Sequence, residues 1–273
     1  MAEKALFLAS RYVQAATLAA SSAMPLLPVT YLQKQEPDKV WRATGCTAEW
    51  ITLDLGTARA CNGAGFVGVN WTAAATVRIR ANSVADMTAA PLDTGSVSPW
   101  PATGKPTDED WPIFACLVRW VNSTAYRYWR IDIVDAANPD GYVELGRPYL
   151  ANYFQPVFNV DINIGVGLDS PDQRTRTPAG KTFTDGRGPP SRRFVLPISA
   201  VNERDLWDSL FDLQRLCGLA VDFFFSLDPS ATTDFHRYSM QALFADGAQF
   251  DSQPFWDATG QVWRTSLTLL EQT

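Results

Sequence analysis

Apolar and polar residues alternate along most of this chain, and only one stretch carries a helical period. In Trp50-Ile51-Thr52-Leu53-Asp54-Leu55-Gly56 the aliphatic side chains fall on every second position and a glycine ends the run. That pattern marks a strand buried on one face. Residues 76–80 and 127–133 repeat it, and 5–8, 66–71, 142–150, 160–166, 194–198, 220–227, 238–244 and 262–270 read as further strands. The exception is 203–217. Asn202 suits an N-cap, Glu203 and Asp205 suit the first turn, and Gly218 suits the stop. There Leu206, Leu210, Leu213, Leu216 and Cys217, with Trp207 and Phe211, make an apolar stripe at spacings of three and four.

Two long segments break the alternation. Residues 86–112 are rich in Pro, Gly, Asp, Thr and Ser and carry Trp100 and Trp111. Residues 169–191 combine prolines, glycines and charges, including Arg174, Arg176 and Arg187, and read as a disorder-prone arm. The character of the chain changes near residue 152. The expected division is therefore 1–151 and 152–273, a mainly β chain whose second part has one helix laid across its strands.

Composition narrows the function. Aromatic residues reach 12%, with 10 Trp, which favours pleated packing and interfaces. A net charge of −6, with basic residues spaced out, argues against binding nucleic acid. Cys46, Cys61, Cys116 and Cys217 have no CxxC spacing and read as reduced, buried thiols. Nothing approaches the roughly 18 consecutive apolar residues of a membrane helix. The N-terminus lacks the apolar core of a secretion signal.

The first part resembles the discoidin, or galactose-binding-like, family. The resemblance rests on Ala19-Ala20-Ser21-Ser22, Val40-Trp41-Arg42-Ala43, Glu49 to Gly56, Tyr128-Trp129-Arg130-Ile131-Asp132-Ile133 and Gly141-Tyr142-Val143-Glu144-Leu145, in that order over about 5–150. It implies a jelly-roll β-sandwich, with Trp41 and Trp50 plugging the core and Asp54 bonding loop amides. It also implies loops at one end that contact glycans. In family members that hold calcium, a glycine and a late acidic residue stand about where this chain has Lys34 and Arg147. Cations there oppose Ca²⁺, so no metal is expected.

The second part, from 155 onward, resembles the tail-tube-like β-sandwich of long-tailed phages and gene transfer agents. The pattern is arm, strand, Asn202-Glu203-Arg204-Asp205-Leu206-Trp207, then Val221-Asp222-Phe223-Phe224-Phe225 and a closing Trp263-Arg264-Thr265-Ser266-Leu267. This resemblance implies a ring-forming homo-oligomer in which helix and arm lie at subunit contacts. Arg174, Arg176, Arg187, Trp207 and Phe211 are then the interface candidates. The implied partners are the tail tube, tape-measure and hub proteins, with assembly in a bacterial host cytoplasm and residence in the virion tail tip.

No catalytic motif is present, and no cofactor is expected. The lone His236 reads as a turn histidine, solvated or acting as a structural donor. Asp108-Glu109-Asp110 reads as a solvated acidic tip rather than a glycosidase pair. Trp100, Trp111 and Asp108 are the candidate glycan contacts, although the two rings, beside Pro99, Pro101 and Pro112, are better suited to pinning the loop to its own domain or to a neighbour. The expected function is a structural tail-tip or baseplate component with a peripheral glycan-binding-like domain. The alternative is a carbohydrate-binding module of a bacterial surface or secreted protein.

Overall fold

The structure, a computed structural model, describes residues 3–9, 11–107, 115–122, 124–186, 190–245, 253–257 and 260–272. Among these residues the strands form a five-stranded, a four-stranded and a seven-stranded sheet and a two-stranded ribbon. The chain is mainly β, as its alternation predicts.

The five-stranded sheet runs Thr17–Ala20, Glu49–Arg59, Tyr126–Val134, Thr76–Asn82, Leu92–Asp93. Its register sets Ile51 opposite Ile131 and Leu53 opposite Trp129, so the aliphatic positions share one face. That face packs on the four-stranded sheet of Trp41–Arg42, Glu144–Ala151, Gly63–Val69 and Ala115–Arg119, forming the sandwich core. Trp41 and Trp129 are fully buried there, and their indole N–H groups donate to Ser22 O and Tyr126 O. Trp50 departs from the expectation of a core plug. It has the opposite parity to Ile51 and Leu53, so it lies on the outer face under the Arg130 guanidinium, 4.5 Å from its ring centre. Asp54 bonds an amide of its own strand, accepting from Gly56 N at 2.8 Å where the register breaks between Asp54 and Arg59; Gly56 has φ +71°.

The four-stranded sheet is buried on both faces, which its sequence pattern does not announce. Ala64 and Phe66 point into the sandwich, while Val67 joins Leu6, Leu8, Tyr149 and Phe224 in a second apolar layer. Gly65 makes this layer close. A β-carbon there would sit 2.8 Å from the Phe224 ring, so the ring occupies the space that a side chain would need. Beyond it, Gly68 at φ +71° shifts the phase, and Val69 turns back into the sandwich.

The third layer is the seven-stranded sheet. Its order is Leu6–Ala9, Phe223–Ser226, Ser239–Phe244, Gly260–Glu271, Ser191–Val201, Gly165–Asp169, with Gln253–Asp257 also paired to Gly260–Glu271. The first strand of the chain thus belongs to this sheet, with Leu8 opposite Phe224, although sequence order groups it with the sandwich. The far face of the sheet carries the helical run Glu203–Cys217, which buries Leu206, Leu210, Leu213 and Cys217. The Asn202 side chain caps it by accepting from Asp205 N at 2.6 Å, and Gly218 ends it at φ +52°.

Residues 169–191 were expected to be disorder-prone. Where described, they include an antiparallel ribbon of Gln173–Arg176 with Thr182–Asp185. The Thr177-Pro178-Ala179-Gly180 turn closes it, Gly180 N donating to Thr177 O at 2.9 Å.

One buried polar cluster pins the sandwich to the third layer. Arg147, 2% exposed, donates from Nε and Nη2 to the carboxylate of the fully buried Asp222, at 2.8 and 2.6 Å. Tyr149 Oη donates to the same carboxylate at 2.6 Å and Gln241 Nε2 at 3.0 Å. Arg147 Nη1 reaches Leu32 O, and Gln241 reaches Gln35 O. Burial works against the Arg147 charge, but the hydrogen bonds and charge of Asp222 outweigh it and raise its pKa. Burial, followed by the Asp222 charge, pushes the Tyr149 hydroxyl well above its usual range.

Asp222→Ala leaves Arg147 buried without its counter-ion and should cost about 3–5 kcal/mol. Gly65→Val should cost about 1–3 kcal/mol by forcing Phe224 off its seat. Urea unfolding measures both; losses near zero would show that neither contact bears on the fold.

Candidate functional surfaces

Of the candidate glycan contacts the structure describes Trp100, which lines a cleft of about 190 Å³ with Pro99, Pro101 and Ala231. Trp100 is 6% exposed, and its Nε1 donates to Thr72 O at 2.7 Å. Lys105 Nζ stands 5.6 Å from the centre of its ring while donating to Trp71 O. Both features tie the loop to the end of the sandwich. Asp108 and Trp111 lie outside the described residues.

The same end of the sandwich is cross-tied by Asp135, 1% exposed. Its carboxylate accepts from Thr72 N at 2.8 Å and Asn138 Nδ2 at 3.0 Å, and also from the Thr72 hydroxyl. Among the described residues no group of three or more His, Cys, Asp or Glu is arranged to hold a metal ion. Arg147, which stands where a late acidic residue would favour calcium, is committed to Asp222. The cysteines are free thiols, and burial pushes Cys61 up to about 12. No helix among the described residues is long and apolar enough to cross a membrane.

His236 is 3% exposed and not solvated. It sits in the short helix Phe235–Tyr238, whose placement next to Ser191–Val201 lets its carbonyl accept from Arg192 Nη1 at 2.8 Å. Arg192 also binds Glu271 through Nε at 2.9 Å, so this corner is a structural knot.

Sequence reading passed over the outer face of the five-stranded sheet. Arg80 grips Asp132 with two bonds of 2.8 Å, and Arg130 Nε reaches the same carboxylate at 2.7 Å. Arg78 pairs with Asp93, its Nε at 2.8 Å. Arg78, Arg80, Arg130 and Asp132, together with Glu49 and Thr76, line a cleft of about 210 Å³. The signal was present in the strands: Arg78, Arg80, Arg130 and Asp132 occupy the polar positions of the alternation that identified them. The Arg78 hydrogen bonds hold Asp93 down to about 2, well below the usual 3.8.

The interface candidates divide. Arg187 lies outside the described residues, while Arg174 and Arg176 are exposed on the ribbon. On the helix, Trp207 and Phe211 are 46% and 42% exposed, their rings 5.2 Å apart, with Trp263 6.3 Å from Trp207. The helix therefore buries one apolar face and shows aromatic rings on the other.

No family profile matches the chain, and no curated protein does. Among solved structures the chain is similar to CpGH89CBM32-5 from Clostridium perfringens, solved in complex with GalNAc-β-1,3-galactose. Identity is 12%, over 51% of this chain and 98% of that one, with a TM-score of 0.39. It is also similar to the family 32 carbohydrate-binding module of C. perfringens NanJ, solved with galactose. That likeness has 12% identity, covers 54% of this chain and 99% of the module, and has a TM-score of 0.39. A fucose-binding module of Streptococcus pneumoniae is 8% identical, over 50% of this chain and 90% of its own, with a TM-score of 0.35.

Two outcomes check this description. Trp100→Ala should lower stability by about 3–5 kcal/mol, the usual cost of emptying a buried tryptophan site; an unchanged urea midpoint would mean the ring is not packed. The folded-state pKa of Asp93 is depressed, so its pair with Arg78 stabilises the fold above the ordinary carboxylate range and loses that effect as pH falls through about 2. Carboxyl NMR should place Asp93 there and show it rising in Arg78→Ala. A titration at the ordinary value in the wild type contradicts the ion pair.

Proposed function

We propose that this chain is a non-enzymatic assembly protein, a glycan-binding-like jelly roll built rigidly onto a ring-forming subunit of a phage or phage-like tail tip or baseplate. The observation that carries the reading is the Trp207–Phe211 pair standing at solvent on a helix whose other face is fully used. Exposed aromatic clusters mark interaction sites, and tryptophan is over-represented among residues that dominate interface energies. The ribbon supports it, since an isolated two-stranded hairpin is marginally stable in water and gains order by lying on a neighbour. Its Arg174 and Arg176 would meet acidic surface on an adjacent copy. Tube, tape-measure and hub proteins are the further partners of such a subunit. The absence of catalytic motifs in the sequence favours a binding rather than an enzymatic role.

A second reading, a carbohydrate-binding module of a bacterial surface or secreted protein, is favoured by the cleft on the outer face of the five-stranded sheet. There Glu49, Thr76, Arg78, Arg80, Arg130 and Asp132 offer charged and polar groups that could hydrogen-bond sugar hydroxyls.

Light scattering on the purified chain separates the two. Assembly predicts a homo-oligomer at micromolar concentration that Trp207→Ala with Phe211→Ala weakens at least about tenfold, a loss of 1.4 kcal/mol. A chain that stays monomeric, absent from tail particles, contradicts the assembly reading. A glycan-array signal lost in Arg78→Ala would then favour the second.

A further inference from the structure

In the cleft on the outer face of the five-stranded sheet, the charges of the strand side chains do not balance. The register sets Arg80 directly opposite Arg130, and Arg78 opposite Asp132. Like charges directly opposite destabilise a strand pair, so the two guanidiniums need an anion between them. Asp132 supplies a single carboxylate to both. Arg80 binds it through Nε and Nη2, and Arg130 Nε reaches Oδ1, which Arg80 Nη2 already uses. Arg78 is taken by Asp93. Three guanidiniums thus face two carboxylates, leaving one positive charge over. Glu49, the other acid of the wall, turns Oε2 to the hydroxyls of Ser21 and Ser22. Among the described residues no ion pair joins it to these arginines.

The arginine that shares its counter-ion is also held in a set position. The Arg130 guanidinium stands over the Trp50 ring, and its Nε is fixed by Asp132. Its side chain is 24% exposed, and among the described residues neither of its Nη groups has a hydrogen-bond partner. Arg78 spends Nε and Nη2 on Asp93, which leaves Nη1 over. The two Nη groups of an arginine form a planar fork that matches a carboxylate through two parallel N–H···O bonds. A ligand carboxylate there would supply the charge that the face lacks, without displacing Asp132 or Asp93. The rest of the wall suits hydroxyls, since Thr76, Ser96 and Glu49 also line the cleft.

We propose that this cleft selects acidic sugars, taking the carboxylate of a sugar residue on the Arg130 fork with Arg78 beside it. The proposal deepens the carbohydrate-binding reading and rests on it. The test is calorimetric titration of the full chain with tetragalacturonate, with 3′-sialyllactose, and with the neutral methyl ester of each. At least one acid should bind, at least about tenfold more tightly than its ester, and more weakly as salt rises. The better of the two acids identifies the kind of sugar. Arg130→Gln leaves Arg80 on Asp132, and Arg78→Gln changes a half-exposed position. Each should weaken acid binding at least about tenfold with an unchanged circular dichroism spectrum, and two variants keep the test open if one misfolds. Binding of neither acid, equal binding of the esters, or undiminished binding in a folded variant would each overturn the proposal. Equal binding of the esters leaves the carbohydrate-binding reading standing. A chain that binds no sugar in either form and is blank on a glycan array contradicts both.

Discussion

The buried pairing of Arg147 with Asp222 is the contact on which the arrangement of this molecule depends. A charge moved into a protein interior loses its hydration, and the loss is recovered only if every hydrogen-bonding site finds a partner. Here the Asp222 carboxylate takes four donors from Arg147, Tyr149 and Gln241. The two charged residues stand on different layers, so the pair closes only when sandwich and third sheet meet in one register. Apolar contacts in the same layer, such as Leu6, Leu8 and Phe224 on Val67 and Tyr149, supply area without that directional demand.

Geometry around the pair then follows. Gly65 lets the Phe224 ring approach the backbone, and the N-terminal strand bridges both sides of the seam. It pairs with Phe223–Ser226 along one edge and exchanges two backbone hydrogen bonds with Phe154 along the other. A jelly roll mounted this way points in a fixed direction relative to the helix and the ribbon.

Much of the local structure was legible in the sequence because local structure obeys short periods. The strands around Ile51 and Ile131, the Asn202 cap and the Leu206–Leu210–Leu213 stripe follow from spacing alone. What stayed hidden depends on partners far along the chain. Nothing near Leu6 indicates that it pairs with Ser226, and nothing near Gly65 indicates a phenylalanine ring above it. Arg147 could be read as a residue that repels calcium, but not as the counter-ion of Asp222. Trp100 illustrates the limit for sites: a tryptophan in a proline-flanked loop reads more as a pin to its own domain or to a neighbour than as a ligand contact, and its bond to Thr72 O ties it to its own domain. Trp50 and the arginines of the outer face were readable by parity, which puts residue 50 opposite to 51 and 53.

The central claim is that sandwich and third layer form one cooperative body held at the Arg147–Asp222 joint. Differential scanning calorimetry tests it most directly. One transition, with calorimetric and van't Hoff enthalpies in agreement, is the predicted result for a single cooperative unit. Two resolved transitions, each with the enthalpy of about half the chain, would show that the halves fold independently and would contradict the account.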